Sequence, residues 1–491
     1  MRCVVFGATG YLGARLVPEL LSAGHDVRLV ARTPAKLDEV PWRGDVEVVE
    51  GDVTDSAKVR RGVDGQQVLY YLVHSMLGSN FVDVDARGAS VVADAAAQAG
   101  LSRIVYVGGI IPDQQQLSDH LASRAEVGRL LHDSGVPTVE LRAAAIIGAG
   151  SASFEMLRYL TERLPLMVTP RWLRTRVQPI AVRDVLYYLT SAAKLPPDVS
   201  RPFDIGGPDT FTYTEMIRKY AAIAGLQRRV AVPVPVLTPY LSSQWVNLIT
   251  PLPRSLASSL MESLENDVVC TEHDIAAHIK DPENGLTHYE DAVELALDRT
   301  RERELKTRWS RVESANAPSR PLPTDPDWAG GSLHEQVIER PVDADAETLW
   351  RVFESIGTKH GWSAAPPMWA LRGWLRKFTS AAKIGRSSAQ PHPMHAGEAL
   401  DWWRVEQMDR PHVLRLRADV PLPGRLWLEL SVHENGDGGS HYRQRTLFQP
   451  YGLAGEAFWA TSTLFRTAVL GGIARDVTAS AAELAGRAVS G

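Results

Sequence analysis

Cysteine is nearly missing from this chain: Cys3 and Cys270 are the only two in 491 residues. Their separation offers neither a disulfide framework nor the short spacing of a zinc site. A reducing cytoplasm is the expected compartment. An excess of either charge is missing too. The 53 basic and 58 acidic residues leave a net charge of −5, so neither nucleic acid nor an anionic membrane is an expected global partner. No long apolar run is present. Between Arg229 and Arg254 no residue is charged, yet five prolines from Pro233 to Pro253 break the stretch and Ser242, Ser243, Gln244 and Asn247 dilute it. A spanning helix needs about 20 mainly apolar residues with every backbone group satisfied internally. The stretch is therefore expected to pack inside a lobe. Met1 and Arg2 run straight into an apolar strand with no cleavable small-residue site, so no secretory signal is expected. What the chain does have is a globular balance, 44% apolar and 23% charged residues, over a length that predicts two or three domains.

The richest local pattern stands at the beginning. Val4-Val5-Phe6 leads into Gly7-Ala8-Thr9-Gly10-Tyr11-Leu12-Gly13, three glycines at Gly-x-x-Gly-x-x-Gly spacing followed by an amphipathic helix. A dinucleotide pyrophosphate requires close backbone, unpaired N–H donors and the positive end of a helix, and a strand-turn-helix of this composition supplies all three. Asp26 to Val30 reads as a second strand, Val46 to Val49 as a third, and Gly51-Asp52-Val53-Thr54-Asp55 as the turn after it. Gly7, Thr9, Gly10, Tyr11, Leu12, Gly13, Val53 and His74 are the expected cofactor contacts.

Three stretches follow from the periodicity. Over residues 1–149 apolar strands at 67–73, 104–108 and 138–143 alternate with helices near 88–99 and 119–131, the pattern of a parallel sheet covered on both faces. Residues 150–314 are mixed and more helical, the expected substrate lobe. Pro, Ser, Asp and Gly enrich 315–331, the expected linker. From 332 to 491 the period becomes two: Leu426, Leu428, Leu430 and Val432 share one strand face and Tyr442, Gln444, Thr446 and Phe448 another, with helices near 346–356 and 461–485.

On these motifs residues 1 to about 300 resemble the atypical, NmrA-like branch of the short-chain dehydrogenase/reductase family, through the glycine loop, the Asp52 turn and Phe203-Asp204-Ile205-Gly206-Gly207-Pro208. The last stretch is similar to START-like, polyketide-cyclase-type helix-grip domains in strand order and terminal helix. Ser118-Asp119-His120-Leu121 and Gly148-Ala149-Gly150-Ser151-Ala152 also occur in bacterial nucleotide-binding proteins that this chain resembles. The resemblance implies an α/β fold, a Rossmann-type doubly wound sheet with a substrate lobe, plus an α+β helix-grip domain. It implies a reductase of an apolar carbonyl or quinone-like compound, or else a non-catalytic nucleotide sensor or assembly factor, or a carrier of a small apolar ligand.

Cofactor choice is expected at the end of the second strand. NAD-preferring sites place an acid there, whereas Ala31-Arg32-Thr33 offers a guanidinium for a 2′-phosphate, so NADP is expected, with NAD open. A plain surface arginine is the alternative. By the resemblance Asp52 binds adenine; an Asx turn serves equally well. The family's Ser and Tyr-x-x-x-Lys are missing, because the fifth strand ends Val107-Gly108-Gly109 and the following helix offers His120-Leu121-Ala122-Ser123-Arg124. His120 and Arg124, four apart, share one helix face as a candidate proton donor and ribose holder, or form ordinary polar surface. Ser75 is the candidate carbonyl-orienting hydroxyl, or a turn hydroxyl bonded locally. In the last stretch His392 and His395 lack a carboxylate at ligand spacing, so no metal is expected. Trp402, Trp403 and Trp427 line a cavity or fill a core, and the basic, aromatic segment 371–378 reads as a solvent-facing helix with apolar anchors, with a helix on a membrane surface as the alternative.

Overall fold

The computed structural model describes residues 1–75, 80–112, 117–169, 171–233, 249–264, 266–305, 322–326, 328–330, 333–355, 395, 397–400, 403–420, 422–434 and 439–489. They form two compact units, 1–331 and 332–491.

The first unit is built on seven parallel strands: β1 (Arg2–Phe6), β2 (Asp26–Ala31), β3 (Glu47–Glu50), β4 (Val68–Tyr71), β5 (Arg103–Gly109), β6 (Thr138–Ala143) and β7 (Arg201–Ile205). Their order across the sheet is β7-β6-β5-β4-β1-β2-β3. Successive residues of a strand point to opposite faces, and here both faces are apolar. Val5, Tyr70 and Val105 enter the core on one side with helices α1 (Tyr11–Ser22) and α6 (Val182–Ala192). Val4, Phe6, Leu69, Tyr71, Ile104 and Tyr106 enter the other, under α2 (Ser56–Val63), α3 (Phe81–Gln98) and α4 (Asp119–Asp133). Helix α3 begins at Phe81, seven residues ahead of the 88 expected from sequence, because Asp83, Asp85 and Arg87 interrupt its apolar period. Strand β7 comes from the second stretch and pairs with β6, Phe203 opposite Leu141, so the two stretches share one sheet.

Helices α5 (Ala152–Arg163), α7 (Tyr213–Ile223), α8 (Arg254–Ser263) and α9 (Tyr289–Leu305) enclose a separate apolar cluster with Phe154, Tyr220 and Tyr289 buried in it. Part of the stretch expected as a linker is fastened to this unit. Asp325 holds Arg15 of α1 at 2.8 Å, Tyr159 donates to Trp328 O at 2.9 Å, and Gly330 N donates to Glu155 at 3.1 Å.

The second unit is a six-stranded antiparallel sheet of β8 (His334–Val342), β9 (Ala399–Leu400), β10 (Trp403–Asp409), β11 (Val413–Ala418), β12 (Gly424–Glu434) and β13 (Ser440–Pro450), in the order β8-β13-β12-β11-β10-β9. Helix α10 (Ala346–Glu354) follows β8, and α11 (Gly452–Thr461) and α12 (Thr463–Val489) follow β13. Leu414, Leu416, Leu428 and Leu430 share a core with Trp350 and Phe353 of α10 and with Val469, Ile473, Ala474 and Val477 of α12. The long helix thus buries its apolar stripe on one sheet face. The alternate strand positions carry charge: Arg415 and Arg445 clasp Glu429. Trp403 belongs to the core and Trp427 is buried. His392, Trp402 and segment 371–378 lie outside the described residues. Among the described residues no helix is long and apolar enough to cross a membrane.

Candidate functional site

Strand β1 delivers the chain to Gly7, whose φ of +90° and whose position 2.5 Å (measured from an ideal Cβ) from Leu72 O admit no side chain. A Cβ on Gly13 would stand 2.2 Å from Gly7 O, so helix and loop touch. Gly10 caps α1 and donates to Gly7 O at 3.0 Å. No side chain caps this helix and no acid lies in its first turn. The N–H groups at the start of a helix have no intrahelical acceptor, and here Tyr11, Leu12 and Gly13 present them beside a bare glycine turn that contains Thr9. This is a fit for a pyrophosphate. Tyr11 folds beneath the loop: its ring lies 4.1 Å from the Arg15 guanidinium, burial pushes its phenol pKa up, and its buried hydroxyl stands where a Gly148 side chain would begin.

Farther along the same edge, Arg32 follows β2 with its side chain 78% exposed and Nε 4.0 Å from Asp52. One Asp52 oxygen closes an Asx turn, accepting from Thr54 N at 2.9 Å and Thr54 Oγ1 at 2.7 Å. Burial pushes its carboxyl up, but Thr54, Arg32 and Arg87 together hold it below the ordinary value. Val53 packs against Gly88 of α3.

The other candidate residues meet at the carboxyl ends of β4 and β5. His74 and His120 have ring centres 5.1 Å apart, and Arg124, one turn along α4 from His120, reaches Tyr106 Oη at 3.5 Å and Val107 O at 3.4 Å. The residue that organises them was not read from the sequence. Asp85 of α3, buried, holds His74 Nδ1 at 2.9 Å and accepts from Ser75 N at 3.0 Å. Its signal was there to find: Asp85, Gly88, Ala89 and Val92 fall on one helical stripe, and an acid within a buried stripe requires a partner. Burial opposes the Asp85 charge, but the hydrogen bonds from His74 and Ser75, and Arg124, hold its carboxyl below the usual range. Burial first and Arg124 second pull His74 down to about 4 despite Asp85, and burial, Arg124 and His74 pull His120 down to about 3. Both rings are neutral near pH 7. With Asp85 ionised, His74 carries its proton on Nδ1 and keeps a buried Nε2 lone pair without a hydrogen-bond partner among the described residues. The backbone N–H of Ser75 is the group that Asp85 uses.

Next to His120 opens a cavity of about 110 Å³. It is lined by Gly109 and Ile110 at the end of β5, His120 of α4, Ala143 and Ala144 at the end of β6, and Met156, Leu157, Met216, Ile217 and Leu260 of the helices α5, α7 and α8. Among its described lining residues there is no carboxylate, ammonium or guanidinium. In an open parallel sheet the strand carboxyl ends face the ligand crevice, and this cavity extends that crevice.

A family described as NAD(P)H-binding matches residues 7–146. Ceramide reductase of Caulobacter vibrioides is 30% identical over 238 residues, 46% of this chain and 71% of that protein. The chain belongs to the NAD(P)-binding, short-chain dehydrogenase/reductase-like family. It also matches the 40 kDa subunit of NADH-ubiquinone oxidoreductase of Neurospora crassa at 25% identity, spanning 64% of that protein's length, under two thirds. Among solved structures, a nucleoside-diphosphate-sugar epimerase of Staphylococcus aureus aligns with a TM-score of 0.48 and 16% identity, over 60% of this chain and 100% of that one. A family described as a protein of unknown function, DUF2867, matches residues 328–473. As a short-chain dehydrogenase/reductase-like protein the chain departs from the family's Ser and Tyr-x-x-x-Lys pattern, with paired neutral imidazoles near the strand ends instead.

Proposed function

We propose that the first unit is an NADP(H)-dependent reductase of an apolar carbonyl compound. The observation that carries the reading is the apolar cavity with His120 in its wall, at the strand ends where a dinucleotide site has its crevice. The nicotinamide would supply hydride; the protein supplies orientation and a dry wall. His120, neutral, donates a hydrogen bond to the carbonyl oxygen, and the alkoxide that hydride transfer would leave there takes that ring N–H proton, which solvent restores. Asp85 fixes His74, and His74 buttresses the His120 ring. Arg32 at the rim, with no acid in its place after β2, favours a 2′-phosphate. A relative named for reduction of ceramide supports an apolar substrate.

The test is direct. NADPH should bind tighter than NADH, and Arg32→Ala should remove that preference at a cost of about 1–3 kcal/mol; equal affinities in the unmodified protein reject the NADP assignment. In a panel of aldehydes, ketones and quinones, His120→Phe should lower turnover about a hundredfold while cofactor affinity holds. Turnover indifferent to that change rejects the role.

A second reading is favoured by the two depressed imidazoles. At pH 7 a ring with a pKa of about 3 is protonated in about one molecule in 10⁴, a poor supply of acid. Tight NADPH binding without turnover of any panel member would mark the unit as a nucleotide-dependent sensor or assembly subunit. For the second unit we propose a START-like helix grip, supported by the antiparallel sheet closed by α12. A cytoplasmic location is in keeping with the two unpaired cysteines.

A further inference from the structure

We infer that the cavity beside His120 is a gauge for one unbranched alkyl tail of about four to five carbons on the carbonyl compound, and that it turns away sugars and rings. The inference rests on the reductase reading for what happens to the carbonyl, and on the cavity alone for the tail.

Three observations carry it. The first is polarity. His120, Ser153 and Tyr213 are the polar side chains among the described lining residues, and the remainder is aliphatic side chain or glycine. A sugar would bury several hydroxyls against Leu157, Met216, Ile217 and Leu260 with few partners for them, and buried polar groups without partners weaken binding. The second is size. An apolar cavity of about 150 Å³ accommodates benzene, roughly 25 Å³ per carbon. At about 110 Å³ this cavity holds fewer carbons than that ring, about four, which a slim tail can supply and a fused ring cannot. The third is direction. Gly109 and Ala143 end β5 and β6 and His120 stands in the first turn of α4, while Met216 and Ile217 of α7 and Leu260 of α8 bring aliphatic side chains to the same lining. The polar end of a guest therefore lies by His120, and its apolar end among Leu157, Met216, Ile217 and Leu260.

The experiment is a calorimetric titration of the full chain, without cofactor, by 2-alkanones from 2-butanone to 2-nonanone. Affinity should tighten about fourfold for each added methylene while the tail is filling the cavity. It should then level once the tail reaches about four to five carbons. Acetophenone and cyclohexyl methyl ketone should bind about tenfold or more weakly than the straight ketone of equal carbon number, because the ring overfills the space. Met216→Ala should move the plateau about two to three carbons longer, since the deleted side-chain atoms leave room for as many methylenes. Affinity that is flat along the series, rises without a plateau, or is equal for rings overturns the inference. Should the variant fail to fold by circular dichroism, the unmodified series decides alone. Oxidation of NADPH by each ketone of the series tests the other reading separately. A plateau with no turnover upholds the gauge and removes the reductase. Turnover indifferent to tail length keeps the reductase and removes the gauge.

Discussion

Replacing Asp325 by alanine would strand a guanidinium inside the protein. Arg15 Nη1 and Nη2 each reach a separate Asp325 oxygen at 2.8 Å, and the two side chains are only 2% and 5% exposed. Breaking a buried pair from one side costs about 3–5 kcal/mol, mostly the penalty of an uncompensated charge. Arg15 keeps other company, Tyr11 O at 3.1 Å, Ala149 O at 3.3 Å and the face of the Tyr11 ring, so the lower end, about 3 kcal/mol, is expected. That is about 150-fold in a local opening equilibrium. Amide hydrogen exchange on the full chain reads it where it acts, in peptides covering α1 and 322–330, without requiring the two units to unfold together. Protection of α1 should fall by about that factor in Asp325→Ala. It should largely return when Arg15→Met is combined with Asp325→Leu, because an apolar pair of similar volume requires no counter-charge. Protection within about threefold of the unmodified protein would refute the reasoning, since it would make the pair worth no more than an exposed one.

Acid should destabilise the first unit through its imidazoles. Histidines with ordinary values near 6.5 are held at about 4 and about 3 in His74 and His120, so below pH 6.5 the unfolded chain binds protons that the native state refuses. Stability is therefore full above pH 6.5 and falls as pH drops toward 4; His120→Phe should make urea midpoints decline less steeply over that window, and an unchanged slope refutes it. Gly13→Ala, with its Cβ at 2.2 Å from Gly7 O, should abolish measurable NAD(P)H binding by forcing α1 off the loop, whereas wild-type affinity would mean that the close contact is relieved at little cost. Residues 332–491 expressed alone should unfold in one cooperative transition, because their core is their own; an insoluble fragment argues that this core is completed by the rest of the chain.

The nucleotide half of the site was legible in the sequence because it is local. A strand, a glycine turn and the start of a helix are contiguous, and the groups that meet a pyrophosphate are backbone N–H donors whose placement follows from residues 4–22 alone. Alternation of apolar and polar positions likewise set the antiparallel sheet of the last 160 residues. Asp52 was open between adenine contact and Asx turn, and in the fold one of its oxygens serves Thr54. The other half of the site was decided by tertiary structure. His74 and His120 are 46 positions apart and become neighbours only because β4 and β5 lie side by side, while Asp85 joins them by lying on the buried stripe of α3. Their neutrality comes from burial near Arg124, and a sequence carries no measure of burial for a single imidazole. The apolar cavity is assembled from β5, β6, α4, α5, α7 and α8, segments spread over 160 residues, and Arg15 finds its counter-charge 310 positions away. Periodicity specifies which face of each element is apolar; which faces meet, and what stays empty between them, is settled only when the elements pack.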